Sequence, residues 1–352
     1  MKVTQHLTSV VVLLFTLVSA RADRLDDYIE AEMEKRHIPG LSLAIVRNGE
    51  VIRAKGYGLA NVELKVPATE NTVFEIASVT KPITATGIMI LVEEGKLDID
   101  DEIRKHLPSL PMNWSKVTVR HLLTHTSGIP SYLSQPGFAD LNRKAYSPDA
   151  LVQLVAGLPL EFQPGEKIDY CNTNYILLGL IIEKLSGRTY GEFLSEKLFR
   201  PLGMTCTKLN DRTEIIPNRA PGYLLEKGTL RNVVHTNLNN AYSTAGLLST
   251  VLDLAKWDVA LGEGKLLKAS TLKQMYTPAV LNDGTLASMS FGWGIGSTRG
   301  HPGVGHSGDM WGFSGSVIRL IDDHLSVIVL TNRSGSEAGT LAEGVLLLLV
   351  PE

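Results

Sequence analysis

The β-rich runs Leu41 to Arg47 and Val51 to Tyr57 flank Asn48-Gly49. Asn-Gly suits the left-handed backbone of a two-residue hairpin turn, so this stretch commits the start of the chain to paired antiparallel strands. Comparable runs return only near the other end, at Ser288 to Gly296, Gly303 to Gly308, Phe313 to Ile321 and Leu325 to Thr331, with Asp322-Asp323-His324 as a turn. Between about 97 and 280 the apolar spacing is mostly helical. Strands at both ends and helices between them predict an α+β fold. One antiparallel sheet is built from both chain ends, terminal helices over 24–37 and 340–350 pack on it, and a mostly helical lobe lies beside it. The expected division is an α/β lobe of 23–76 and 281–352 and a helical lobe of 77–280.

Start and stop signals mark the helices. One runs from Ser78 to Glu94, with Gly95 just past its end. A short one spans Val119 to His125. Ser147-Pro148 pairs an N-cap with a proline at the first helical position. Tyr175 to Leu185 is apolar and closed by Gly187. Tyr190 to Phe199, Thr250 to Leu261 and Ser270 to Tyr276 follow, the last with Ser270 as an expected N-cap.

The 352 residues, 44% hydrophobic, suffice for a sizeable core. A formal net charge of −3 without Lys/Arg runs gives no electrostatic case for nucleic acid. Residues 1–22 have the order of a secretory signal: Lys2, the apolar run Val10 to Val18, then Ser19-Ala20-Arg21-Ala22 with small residues at a cleavage site. That run is too short to span a bilayer, as is Val345 to Val350, so no stable membrane span is expected after cleavage. A secreted or periplasmic location follows. Two cysteines, Cys171 and Cys206, make no disulfide framework and are expected to be free. Nothing in the sequence fixes an oligomeric state.

The chemistry centres on Ser78-Val79-Thr80-Lys81. Residues i and i+3 at a helix start share a face, so the Lys81 amine can sit beside the Ser78 hydroxyl. Serine needs a neighbouring base to become a nucleophile. A lysine can be that base once burial or another cation lowers its pKa. The pattern alone is weak, because Ser270-Thr271-Leu272-Lys273 repeats it. Further along stand Tyr170-Cys171-Asn172, just before an apolar helix, and His306-Ser307-Gly308 on a C-terminal strand. A phenol beside an ammonium such as Lys81 is expected to have a lowered pKa, and Lys81 and Tyr170 can divide the proton transfer between them. His121 and His125 have a metal-ligand spacing, but no third ligand accompanies them. No Gly-x-Ser-x-Gly elbow, phosphate loop or dinucleotide fingerprint is present.

With these three motifs in this order, the sequence resembles the serine β-lactamase and penicillin-recognising superfamily. Within it, the chain is most similar to the branch of class C β-lactamases, DD-carboxypeptidases, D-aminopeptidases and family VIII carboxylesterases. The likeness extends to His121-Leu122-Leu123-Thr124-His125-Thr126-Ser127-Gly128 and Tyr170-Cys171-Asn172-Thr173-Asn174-Tyr175. It implies a serine hydrolase that works through an acyl-enzyme, without cofactor or metal. Ser78 is the implied nucleophile, with Lys81 and Tyr170 in proton transfer. Asn172, His306, Ser307, Gly308 and Asp309 are the implied substrate-binding residues, and the N–H groups of Ser78 and Asp309 the implied oxyanion hole. Many β-lactamases carry Lys-Thr-Gly where this chain has His306-Ser307-Gly308. That departure favours a small ester or D-amino-acid amide over a β-lactam. It rests on a neutral His306 and on Asp309, which repels anions if its side chain faces the cleft. A β-lactamase, or a catalytically silent binding protein on the same fold, are the alternatives.

The exported protein is expected to begin near Asp23. N-terminal sequencing of exported material checks this; an intact Met1 there contradicts it.

Overall fold

The computed structural model describes residues 24–136, 144–211, 213–233 and 240–351. The signal-like segment 1–22 lies outside the described residues. Helix α1 covers residues 24–35. It is followed by β1 (Gly40–Arg47), β2 (Glu50–Asn61), β3 (Val66–Pro67) and β4 (Phe74–Glu75). A 3₁₀ turn, Ala77–Val79, leads into α2 (Thr80–Glu93), α3 (Ile103–His106), α4 (Val119–Leu123), α5 (Pro148–Ala156), α6 (Asn172–Ser186) and α7 (Tyr190–Leu194). Then come β5 (Lys208–Leu209), β6 (Tyr223–Glu226), β7 (Thr229–Asn232), α8 (Tyr242–Ala245), β8 (Leu247–Ser249), α9 (Val251–Gly262) and α10 (Ala269–Tyr276). The chain closes with β9 (Gly294–Thr298), β10 (His301–Met310), β11 (Phe313–Leu320), β12 (Leu325–Thr331) and α11 (Ala338–Leu349).

Both chain ends build one sheet, in the order β3-β2-β1-β12-β11-β10-β9, with antiparallel neighbours throughout. The seam is β1 against β12, from Leu41 opposite Thr331 to Arg47 opposite Leu325. Alternation sorts the central strands onto two buried faces. Leu41, Leu43 and Ile45 of β1 join Val327 and Val329 of β12 beneath Ile29 of α1 and Leu341 and Val345 of α11. Ala44, Val46, Ile328 and Leu330 face the other way, into the core shared with the helices. A central strand covered on both faces reads as an unbroken apolar run, which is why β12 is so legible in the sequence.

The middle of the chain is less purely helical than its spacing predicts. Short strands β4, β8 and β5 form a three-stranded sheet, and β6 and β7 form a hairpin. Elements of two to four residues leave no periodicity to read. The small sheet matters, because β8 pairs Leu248 with Glu75 just before Ser78, and Leu247 O accepts from Ile76 N at 3.1 Å. The expected strand over 288–296 begins only at Gly294. Ahead of it, Ser290 N donates to Trp293 O at 2.8 Å around Gly292, at φ +80°. Its apolar alternation reflects Phe291 and Trp293 buried from a turn. Lys268, not Ser270, is the N-cap of α10, and Ser270 lies within the helix. Beyond α7 the helix widens into one π turn, Ser195–Phe199. Ser147, Pro148 and Gly187 stand as expected, Gly187 with φ +69°.

Close helix packing sets the site's geometry. A Cβ on Gly179 of α6 would lie 2.3 Å from Ser243 Oγ and 2.5 Å from the Tyr242 ring of α8. Gly179→Ala is therefore expected to cost about 1–3 kcal/mol by overpacking and to lower turnover by displacing α8. Gly157→Ala, where a Cβ meets nothing within 4 Å, should be silent in both. Denaturant unfolding and steady-state rates check this; equal stability of the two variants contradicts it.

Candidate active site

Ser78 sits in the 3₁₀ turn between β4 and α2, one residue after Ala77, which has φ +48°. A non-glycine residue there is strained, and such strain persists where the surroundings over-determine it. Here the determinant is β10. A Cβ on Gly308 would lie 2.4 Å from Ser78 N and 2.8 Å from the Ala77 Cβ. Only glycine lets the strand backbone pass this close to the Ser78 turn. The pairing of β10 with β9 stops at Gly305, while its pairing with β11 runs on to Met310. The segment 306–309 thus has one edge without a strand partner, beside Ser78.

Lys81, one helical turn on, is fully buried. Its Nζ lies 3.1 Å from Ser78 Oγ, 2.8 Å from Asn172 Oδ1 and 3.0 Å from the carbonyl oxygen of Thr244. All three partners are uncharged. Burial without an anion disfavours the ammonium, and the Lys81 pKa falls to about 7. A neutral amine can donate its two hydrogens to Asn172 and Thr244, which leaves its lone pair for the Ser78 hydroxyl. Asn172 is the first residue of α6 and follows an N-cap, Cys171, whose side chain makes no cap. The Asn172 side chain is therefore committed to Lys81 rather than to the helix end.

Tyr170 lies beside this pair. Lys81 Nζ is 4.8 Å from its ring centroid, and its hydroxyl is near enough to Ser78 for that side chain to favour the phenolate. The expectation of a lowered phenol pKa is wrong. Although 41% of the Tyr170 surface is exposed, burial at the hydroxyl end raises its pKa, more than the nearby Ser78 side chain lowers it. Lys81 exerts little pull because it is itself poised to be neutral. So Tyr170 is a proton-bearing phenol, and Lys81 is the group that can be a base near neutrality.

His306 and Gly308 face the Ser78 turn. His306 is 8% exposed, and burial, then the Lys81 charge, lowers its pKa to about 3. Its Nδ1 is 2.7 Å from Ser307 O. The ring is neutral at physiological pH, 6.1 Å from the Tyr170 ring. The side chains of Ser307 and Asp309 lie elsewhere. Alternation turns both side chains to the far face of the sheet, where Ser307 Oγ donates to Ser316 Oγ at 3.1 Å and the Asp309 carboxylate accepts from Gly335 N. Asp309 therefore cannot repel an anion in the cleft through its side chain; only the backbone of these residues borders the site.

Sequence reasoning missed Thr244, which contributes a carbonyl any residue could supply. The histidine pair is divided between two contacts. His121 Nδ1 accepts from Thr118 N at 3.1 Å in a capping box, while His125 Nδ1 accepts from Cys171 N at 3.0 Å. The two rings serve different contacts and do not form a metal site together. Cys171 and Cys206 are both free thiols.

A sheet built from both chain ends, with a serine paired to a buried lysine beside a tyrosine at its edge, defines the class: a serine hydrolase of β-lactamase-like fold. The chain belongs to the Beta-lactamase family, whose sequence profile matches residues 25–350. A penicillin-binding protein of Bacillus subtilis (strain 168) is 34% identical over 326 residues, 88% of this chain and 71% of that protein. The chain spans 71% of the length of that relative and 66% of protein flp of Staphylococcus aureus (strain MRSA252), to which it is 31% identical over 335 residues, 93% of this chain. The octameric penicillin-binding protein homologue from Pyrococcus abyssi superposes with a TM-score of 0.83 at 34% identity, over 93% of this chain and 77% of that one. The D-amino acid amidase from Ochrobactrum anthropi SV3 superposes with a TM-score of 0.78 at 27% identity, over 93% of this chain and 99% of that one.

A lowered lysine pKa means that the neutral base exists above that pKa and is lost below it. Acylation of Ser78 is therefore expected to rise with pH through about 7 and to level off above. Lys81→Ala and Tyr170→Phe should each lower turnover at least about a hundredfold, with non-additive losses because one proton network is broken. Stopped-flow acylation rates across pH check this. A flat profile, or a double-variant loss equal to the product of the single ones, contradicts it.

Proposed function

We propose that this chain is an exported serine hydrolase acting on small neutral esters or D-amino-acid amides through an acyl-enzyme on Ser78. The observation that carries the reading is the buried Lys81 amine, 3.1 Å from Ser78 Oγ and held by uncharged partners alone. In this reading, Ser78 Oγ bonds to the substrate carbonyl carbon as its proton passes to Lys81 Nζ. The N–H groups of Ser78 and Asp309 receive the negative charge on the former carbonyl oxygen. As the tetrahedral intermediate collapses, the Tyr170 hydroxyl gives its proton to the leaving group and is resupplied from Lys81. Water then attacks the acyl carbon by the same route, and release of the acid restores Ser78. Export is supported by the charge, apolar run and small-residue order of residues 1–22.

The substrate class follows from the third motif. A lysine there offers a permanent cation for a substrate carboxylate. His306 offers a neutral ring, its pKa lowered to about 3. Neutral substrates lose nothing by this, whereas a β-lactam carboxylate loses its partner. The likeness to a D-amino acid amidase over 99% of that enzyme adds small D-amino-acid amides to the candidates.

The test compares kcat/KM for a short-chain nitrophenyl ester, a D-amino-acid amide and nitrocefin, in wild type, His306→Lys and Ser78→Ala. Ser78→Ala should abolish every activity without unfolding the protein. The ester or the amide should exceed nitrocefin in wild type, and His306→Lys should shift the ratio toward nitrocefin. Nitrocefin turnover matching that of the best neutral substrate overturns the substrate class. Full activity of Ser78→Ala overturns the mechanism.

A further inference from the structure

His125 plays no part in the mechanism above, yet it is fully buried directly beneath it. It follows α4 with φ +58°, so its backbone leaves the helix in the left-handed region. That conformation turns both its carbonyl and its ring toward the segment 169–171. The carbonyl accepts from Asp169 N at 2.9 Å, and ring Nδ1 accepts from Cys171 N at 3.0 Å. The two bonds bracket Tyr170, one residue to each side. The ring itself lies against Tyr170, with centroids 4.4 Å apart and planes 30° apart, and on its other contact against Tyr175 at 5.1 Å. With Nδ1 accepting, the proton must sit on Nε2. That Nε2 is buried and makes no hydrogen bond. Few buried polar atoms in folded proteins are left so, and each asks for a reason.

An apolar ring would fill the same space without an orphaned donor. What it would lack is the acceptor for Cys171 N–H, and with it half of the bracket that fixes Tyr170. We infer that His125 is the positioning residue for Tyr170: its ring nitrogen and its carbonyl, one bond to each side, set where the phenol stands over Ser78 and Lys81. Burial and the neighbouring Lys81 charge keep the ring from protonating, so Nδ1 stays an acceptor when Lys81 takes up a proton. This inference rests on the reading that Tyr170 carries a proton during catalysis.

Three variants separate the parts. His125→Asn places Oδ1 close to where Nδ1 stood and tolerates the left-handed backbone. His125→Phe keeps the ring and removes the acceptor. Tyr170→Phe removes the group being positioned. Crystal structures of the first two and acylation rates of all three, together with His125→Phe/Tyr170→Phe, form the experiment. Tyr170 should move in His125→Phe and stay in place in His125→Asn. Acylation should fall about ten- to a hundredfold in His125→Phe, the scale of an ångström-level misplacement, and stay near wild type in His125→Asn. In the Tyr170→Phe background, His125→Phe should cost little more, which a merely structural role does not predict. An unmoved Tyr170 in His125→Phe, or losses that multiply in the double variant, overturns the inference. If Tyr170→Phe alone acylates normally, the proton-transfer reading fails, while the displacement in His125→Phe still decides what positions residue 170.

Discussion

The structure depends on holding one lysine amine in the core with no anion beside it. Placing an ammonium there is costly, and proteins meet that cost by pairing the charge or by giving up the proton. Lys81 is offered no carboxylate; its partners are a hydroxyl, an amide oxygen and a backbone carbonyl. The fold thereby makes the neutral amine accessible near pH 7. Three separate pieces of chain must be in register to achieve this: the turn into α2, the first residue of α6 and the end of α8. The small β4–β8–β5 sheet ties the first to the last, and the Gly179 contact ties the second to the last.

The large sheet supplies the other half of the site. Its two ends close through β1 and β12, which fixes where β11 and β10 run. Gly308 then lets the β10 backbone pass within contact of Ser78 N. The same strand carries His306, whose burial keeps it neutral, so the ring places no permanent cation there. The close approach to Ser78 and the neutral ring near it thus come from a single strand with a glycine at its closest approach.

Much of this is legible in the sequence where side-chain identity carries the chemistry. Ser78, Lys81, Tyr170, Asn172 and His306 announce themselves by type and order, and the Asn48-Gly49 hairpin with the apolar run of β12 gives the sheet. The failures have physical causes. The Thr244 contribution is a backbone carbonyl and leaves no residue signature. The orientation of Ser307 and Asp309 depends on strand register, which alternation alone leaves two-fold ambiguous. The sign of the Tyr170 shift turned on two opposing effects, and burial outweighed the neighbouring amine because that amine is itself short of charge. The contact of His125 with Tyr170 depends on a left-handed backbone that helical spacing does not announce.

The central claim is that the Lys81 amine gives up its proton near physiological pH. It is tested most directly by NMR titration of the protein with its lysines labelled at Cε, with Lys81→Ala identifying the resonance. The account predicts that the Lys81 signal titrates near pH 7, apart from surface lysines near their usual value of about 10.4. A Lys81 signal that titrates with the surface lysines would contradict it, because the amine would then be charged and unable to take the Ser78 proton.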